Sequence, residues 1–424
     1  MANYLTFSSA EPFTIAVGNA KKGWDGILYY STNASTWSVW DGTTAIASAE
    51  HGGEQRIYMR GVGNSKITGG FISYRWVLTG SDISCIGNIE NLLDFETVAN
   101  GKHPAMTEKC YASMFYDCTA LTTAPELPAT TLATSCYNSM FRGCTNLKTA
   151  PELPATTLAD WCCYEMFRGC TSLTIAPELP ATTLAKDCYE NMFMGCTSLT
   201  MAPALPAAAL AEYCYFNMFQ GCTNLTTAPE LPATTLAEKC YYCMFQGCTS
   251  LTIAPELPAT TLAKDCYNSM FRGCTNLTTA PALPATTLAE MCYYRMFEGC
   301  TNLKTAPELH ATILAGWCYC SMFYGCTNIK LSETQSDEYQ NAYRIPTEGT
   351  GTTAIGAMGS MFEGTGGTFT GTPDINTTYY MAVPEPEPTL TEGDFYKVIN
   401  GQWVKCDSVK PTGNEWVKQD EYLY

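Results

Sequence analysis

Between residues 110 and 326 apolar positions recur with a fixed period of 26 residues. Within one copy Leu132, Cys136, Met140 and Cys144 fall four apart, and Ala133, Tyr137 and Phe141 form a second row one position on. A stripe with that spacing predicts an amphipathic helix. Pro128 lies just outside it, Thr130 or Thr131 can cap its first turn, and Gly143 stands where a left-handed residue would end it. The pattern therefore predicts a short helix over 131–142 and its equivalents. In the first copy Asp117 replaces the glycine, and Asp visits the left-handed conformation more readily than most residues. The rest of a copy, such as CTNLTTAPALP at 274–284, is too short and too rich in Thr and Pro for a second helix. A brief strand near Leu283 is expected there, beginning at or after Pro281, which cannot donate to a ladder.

Cysteines at 110, 136, 162, 188, 214, 240, 266, 292 and 318 form one column, and those at 118, 144, 170, 196, 222, 248, 274, 300 and 326 a second. A fixed period in this range marks a solenoid whose units bury their faces against one another. Strands stack at about 4.8 Å and helices at about 8–10 Å, so the array is expected to bend into an arc with strands inside.

The motif L-T-x-A-P-E-L-P-A-T-T-L-A-x-x-C-Y-x-x-M-F-x-G-C-T-x-L resembles the BspA-like branch of leucine-rich repeats, whose units run L-x-x-I-x-I-P-x-x-V-x-x-I-G-x-x-A-F-x-x-C. Cys136 takes the isoleucine place and Met140 the alanine place, while Phe141 and Cys144 match directly. The likeness covers about residues 110–331; it departs in having three more residues per unit and a proline in the strand region. It implies an α/β solenoid: a leucine-rich-repeat array of 26-residue units, each a short strand plus a short helix.

Both flanks carry other patterns. Residues 1–84 hold YLTFSS, FTIAV, ILYYST, WSVWDG, RIYMRGV and FISYRWVLTG, separated by Gly, Asn and Asp, which predicts an antiparallel β-domain. The solenoid with an N-terminal cap is assigned to 85–331, and 332–383 to a degenerate capping repeat in which Thr365 stands for a cysteine. PEPEP at 384–388 is expected to be a stiff linker, and 389–424 a small β module around GQWVK and NEWVK. This layout is similar to that of tail-associated, receptor-binding proteins of gut bacteriophages.

With 23 basic against 40 acidic side chains the net charge is −17, which disfavours nucleic acid and anionic membrane surfaces as partners. No signal peptide is visible in MANYLTFSSAEPFT. The longest mostly apolar run, 201–211, falls short of a bilayer span, so no membrane insertion is expected. The regular C-x7-C spacing lacks histidines in phase, and Cys240 with Cys243 makes a single C-x-x-C pair, so neither a metal site nor a cofactor is expected. Cysteines eight apart on a helix lie about 12 Å apart and neighbouring helices about 8–10 Å, beyond disulfide reach, so reduced core thiols are expected. His51, His103 and His310 are scattered, and no catalytic set is suggested by order or spacing, so the chain is read as non-enzymatic. Glu126, Glu152, Glu178, Glu230, Glu256 and Glu308 form a column that is read as a solvated face, a bridging cation being the alternative.

Variation between copies points elsewhere. The pair before the first cysteine and the residue after each Phe change freely while the apolar positions are nearly fixed. Trp161, Tyr213, Met291, Trp317 and Tyr324, flanked by Arg142, Arg168 and Arg272, are the candidate ligand-binding face; Asn138 shares this freedom. The expected function is recognition or adhesion on a virion surface or outside a cell. A surface protein or glycan of a bacterial or host cell would be bound by the array, and other virion or tail proteins by the terminal domains. Self-association into a homo-oligomer stays open. The alternatives are a structural spacer or decoration protein of a virion, and a bacterial cell-surface adhesin.

Overall fold

The computed structural model describes residues 4–70, 72–345, 354–375, 377–383, 395–399 and 402–406, the last two stretches in their backbone only. Two compact units result, one up to Ala382 and one from Val383 onward. In the second, the strands Phe395–Ile399 and Gln402–Cys406 pair antiparallel. PEPEP and NEWVK lie outside the described residues.

The N-terminal segment folds into nine short strands because its apolar residues alternate with polar ones and turn residues interrupt them. They are β1 (Leu5–Ser9), β2 (Thr14–Val17), β3 (Ile27–Ser31), β4 (Ser38–Trp40), β5 (Ile46–Ala47), β6 (Ala49–His51), β7 (Glu54–Val62), β8 (Trp76–Thr79) and β9 (Ile83–Ile86). One antiparallel sheet runs β9-β1-β7-β3-β4 with β6 also on β7, and a smaller one runs β5-β2-β8. Phe7 and Trp40 of the first sheet pack on Trp76 of the second, with ring centroids 6.0 Å and 5.4 Å away. The boundary expected at residue 84 falls inside β9. That strand pairs in parallel with β10 (Leu121–Thr123) of the first repeat, and Phe115 of the same repeat sits 6.2 Å from both Phe7 and Trp76. The sandwich and the array therefore share one core.

The repeats overturn the helix expectation. Ser135, Ser139 and Gly143 have φ of +54°, +53° and +75°, and the residues at the same places of the other units are likewise left-handed. Every fourth residue thus reverses the winding, and the segment is a run of turns. Cys136, Asn138, Met140, Arg142 and Cys144 donate their backbone N–H to the carbonyl three residues back, at 3.0–3.2 Å. The residues between them donate onward: Ser135 to Asp160, Tyr137 to Cys162, Ser139 to Tyr164, Phe141 to Met166 and Gly143 to Arg168, at 2.7–2.9 Å. This alternation satisfies each donor without an α-helix. A stripe at strict intervals of four suits it better than a helix, in which four residues overshoot a turn by about 40°. Among the described residues one α-helix is found, α1 (Phe95–Ala99), in the segment that leads into the array.

Because units bond through their turns, they stack closely. Rings of the Phe column from Phe141 to Phe323 are 5.5–5.7 Å apart and near-parallel. Tyr215, Tyr241, Tyr267, Tyr293 and Tyr319 form a second buried stack. The arc argument, which needed helices at wider spacing, loses its basis. Strands beyond β10 shrink to isolated parallel bridges, such as Thr149 to Ile175 and Leu283 to Leu309.

The close spacing also removes the distance argument against bridges between neighbouring cysteines of a column, since a step near 5.7 Å lies within disulfide range. The thiols are nevertheless free, and the second column has a positive role. Cys144 Sγ donates to Phe115 O of the preceding unit at 3.1 Å, and its equivalents repeat this at 3.0–3.1 Å as far as Cys326. These cysteines stitch unit to unit in addition to filling the core.

At the far end Met361 and Phe362 are fully buried, and Phe362 stacks 5.3 Å from Phe323. Thr365 at the cysteine place turns back on its own unit, donating to Phe362 O at 2.8 Å. Strands β11 (Leu331–Ser332), β12 (Tyr339–Ile345) and β13 (Thr377–Ala382) form a sheet in the order β11-β13-β12 there.

Candidate recognition face

The turns carry their variable side chains on four columns, counted from the first cysteine of a unit: one before it, and two, three and six after it. Trp161, Tyr213, Met291 and Trp317 occupy the first column, and Arg142, Arg168, Arg272 and Tyr324 the last. The eight candidates do not converge on one pocket. Seven steps of about 5.7 Å separate the unit of Arg142 from that of Tyr324, so the eight line a strip about 40 Å long.

The first column is held at a conformational cost. Trp161, Tyr213, Met291 and Trp317 have φ of +55°, +56°, +55° and +51°. A side chain forces a Cβ against the backbone there, costing roughly 1–2 kcal/mol. Units 4 and 7 place Asp187 and Asp265 in the same column, residues that bear the conformation more easily. Trp161, Trp317 and Tyr324 are 40%, 38% and 41% exposed. Trp317 also meets the end of the array: its backbone N–H donates to Ile355 O at 3.2 Å, and its indole leaves no room for a Cβ on Gly356.

The arginines are engaged by the protein itself. Glu165, almost fully buried, forms ion pairs with both Arg142 and Arg168. Arg142 also lies over the Tyr116 ring at 5.2 Å. Arg272 pairs with Glu298 at 3.0 Å, which Arg295 approaches to 3.3 Å. The Arg142–Glu165 and Arg272–Glu298 pairs run across units and stiffen the face. Each guanidinium stays about one-third exposed, which leaves edges for a ligand.

The column two after the cysteine supplies aromatic residues that the sequence reading passed over, having taken from it only Asn138. Phe216 and Tyr242 stack at 4.7 Å with planes 6° apart, and Tyr213 reaches Phe216 at 5.8 Å. Lys239 Nζ donates to the Tyr213 hydroxyl at 3.1 Å and lies 5.0 Å from its ring centroid. Asn217 donates to Asn191 at 3.0 Å and Gln220 to Gln246 at 2.8 Å. Their signal was available: Asn138, Tyr164, Glu190, Phe216, Tyr242, Asn268 and Tyr294 vary as freely as the chosen columns.

One step away the face turns acidic. Burial, and then the Asp187 carboxyl beside it, push Glu190 up to about 8. Asp187 is raised as well, chiefly by burial. The pair therefore holds a proton in the neutral range.

Burial suppresses thiol chemistry at most cysteines of the two core columns. Burial pushes Cys170, Cys222, Cys266 and Cys274 up to about 12. Cys240 is buried in the core while Cys243 lies on a turn at φ +50°, and no group of three or more His, Cys, Asp or Glu able to hold a metal occurs among the described residues. The Glu126, Glu152, Glu178, Glu230, Glu256 and Glu308 column is exposed to solvent. No helix among the described residues is long and apolar enough to cross a membrane.

A family model described as BspA type Leucine rich repeat region (6 copies) matches residues 96–200, 152–278 and 186–330, more than half of the chain. No curated protein and no solved structure matches it.

Proposed function

Since this chain belongs to the BspA-type leucine-rich repeat family, we propose that it is a non-enzymatic recognition or adhesion protein that binds a cell-surface ligand through its turn face. The family is consistent with surface adhesion or recognition. The observation that carries the reading is the first variable column. Trp161, Tyr213, Met291 and Trp317 hold bulky apolar groups on left-handed backbone, where Asp, Ser and Lys serve other units. Strain of that kind persists where the side chain is needed.

The rest of the unit supports a rigid platform. Stacked Phe and Tyr columns, inter-unit backbone bonds and cross-unit ion pairs fix the side chains before any ligand arrives, which reduces the entropy lost on binding. Flow cytometry with the labelled full chain on bacterial and animal cells tests the proposal. Saturable attachment, displaced by unlabelled chain, is expected; absence of attachment to any cell type contradicts it. Display on a bacteriophage particle rests on the layout of the chain alone, and mass spectrometry of purified virions decides it.

A further inference from the structure

We propose that the centre of the turn face is a subsite for an uncharged, extended oligosaccharide, built from Tyr213, Phe216 and Tyr242 with Asn217, Gln220 and Gln246. This deepens the recognition reading and rests on it. Three independent features of the fifth and sixth units converge on that ligand class.

The first is the pairing of ring and amide. Phe216 and Tyr242 stack at 4.7 Å and are half-buried, so each ring is locked by its neighbours yet keeps an accessible part. A pyranose offers an apolar C–H face that packs on an aromatic ring, and a rim of hydroxyls that are at once donors and acceptors. Planar amides match such a rim because each supplies two donors and an acceptor oxygen with two lone pairs. Gln220 uses one N–H on Gln246, and Asn217 one on Asn191, which orients the amides and leaves their remaining capacity for a ligand.

The second is charge. In a chain of net charge −17, the four face columns carry no carboxylate in these two units. Asp187 and Glu190 bound the patch on one side, and Asp265 on the other. Of the nearest glutamates, Glu212 is held by Lys186 at 2.9 Å and Glu238 lies 3.9 Å from Lys239. Two cations reach the patch, both over the Tyr213 ring: Lys239, 5.0 Å from its centroid, also donates to its hydroxyl at 3.1 Å, and Lys186, at 5.6 Å, is paired with Glu212. A polyanion would meet acidic flanks and only cations already engaged by Tyr213, Glu212 and Glu238, whereas a neutral ligand depends on neither.

The third is spacing. Units succeed one another at about 5.7 Å, and the fifth and sixth each contribute a ring, Phe216 or Tyr242, and an amide, Gln220 or Gln246, at equivalent places. That step is close to the length of one sugar unit in an extended pyranose chain. Two successive sugars would therefore meet the fifth and sixth units in register, and the flanking units set the length of the subsite.

Calorimetry with the full chain tests this, using cellohexaose, chitohexaose and mannohexaose as neutral probes, their trisaccharides, and a heparin hexasaccharide as the charged comparator. At least one neutral hexasaccharide is expected to bind, its trisaccharide about as tightly because it already spans the patch, with little change between low and high salt. Tyr242→Ala and Phe216→Ala are each expected to weaken binding at least about tenfold. Gln246→Ala, on the surface and outside the ring stack, should weaken it with an unchanged melting midpoint, which keeps the test open if a ring variant misfolds. Failure of every neutral probe by a chain that still attaches to cells overturns the subsite while leaving recognition intact, with a protein as ligand. Preference for heparin, or binding by Tyr242→Ala and Gln246→Ala undiminished from the parent chain, also overturns it. Oligosaccharide binding by a chain that attaches to no cell supports the subsite and contradicts the cell-surface reading.

Discussion

Ser269 separates the turn array from the helix that its sequence suggests. Its φ is +54°, and its hydroxyl donates to Asn268 Oδ1 at 2.8 Å. Ser269→Ala and Ser269→Gly both delete that hydroxyl, so the difference between them reports the backbone alone. In a helix interior alanine is favoured over glycine by about 1 kcal/mol. On left-handed backbone the order reverses: alanine keeps a Cβ penalty of roughly 1–2 kcal/mol, against which glycine's greater loss of freedom on folding counts about 0.5–1 kcal/mol. The net is about 0.5–1 kcal/mol in favour of glycine. Thermal melting of the full chain gives the sign directly, even where a repeat array departs from two-state behaviour. A higher midpoint for Ser269→Gly is expected. A higher midpoint for Ser269→Ala would refute the turn assignment, and with it the geometry of the face.

Three more outcomes follow from the same interactions. Since Glu190 is raised to about 8, the folded chain retains a proton that the unfolded chain releases near 4.3, and this contribution, full below 4.3, is lost as pH rises through 8. Glu190→Gln should remove that loss, so its melting midpoint should gain on the parent from pH about 5 to about 9; a constant gap would contradict the shift. Glu165→Ala strips two arginines of their shared partner and, discounted for their partial exposure, should cost about 1–2 kcal/mol in chemical denaturation. Among the cysteines from Cys85 to Cys326 only Cys320 is partly exposed, so alkylation of native protein followed by peptide mass spectrometry should find Cys320 modified well before Cys222 or Cys274. Rapid native labelling at Cys222 would contradict its burial.

The period, the two cysteine columns and the buried Met-Phe pairs were legible because packing constrains them in every copy. The conformation of the turn segment was not. Leu132, Cys136, Met140 and Cys144 sit at intervals of four, and over one short segment that spacing is hard to tell from a helix. The distinguishing signal was the residue ahead of each apolar pair: Ser135, Ser139 and Gly143 also recur every four, and Ser, Asn, Asp and Gly are common at these places. The cysteine distance argument inherited the same error, since it took its spacing from helices. On the face, variability located Trp161, Tyr213, Met291 and Trp317, but not what holds the arginines. Arg168 meets Glu165 within its own unit, three residues away, but Arg142 reaches it across a unit boundary, 23 residues away, and only the stacking offset between units brings all three together.

The claim that matters most is that the bulky residues of the first column are there to make contact. Replacing Trp161 and Tyr213 by Asp, and Met291 by Ser, installs residues that this column already carries at Asp187, Asp265 and Ser135. The attachment of that triple variant to cells, titrated beside the parent chain and a circular dichroism check of its fold, is the most direct measurement. A loss of at least about tenfold in apparent affinity with the spectrum unchanged is predicted. Undiminished attachment by a folded triple variant would contradict recognition through this face and leave the array as a spacer whose contacts lie elsewhere.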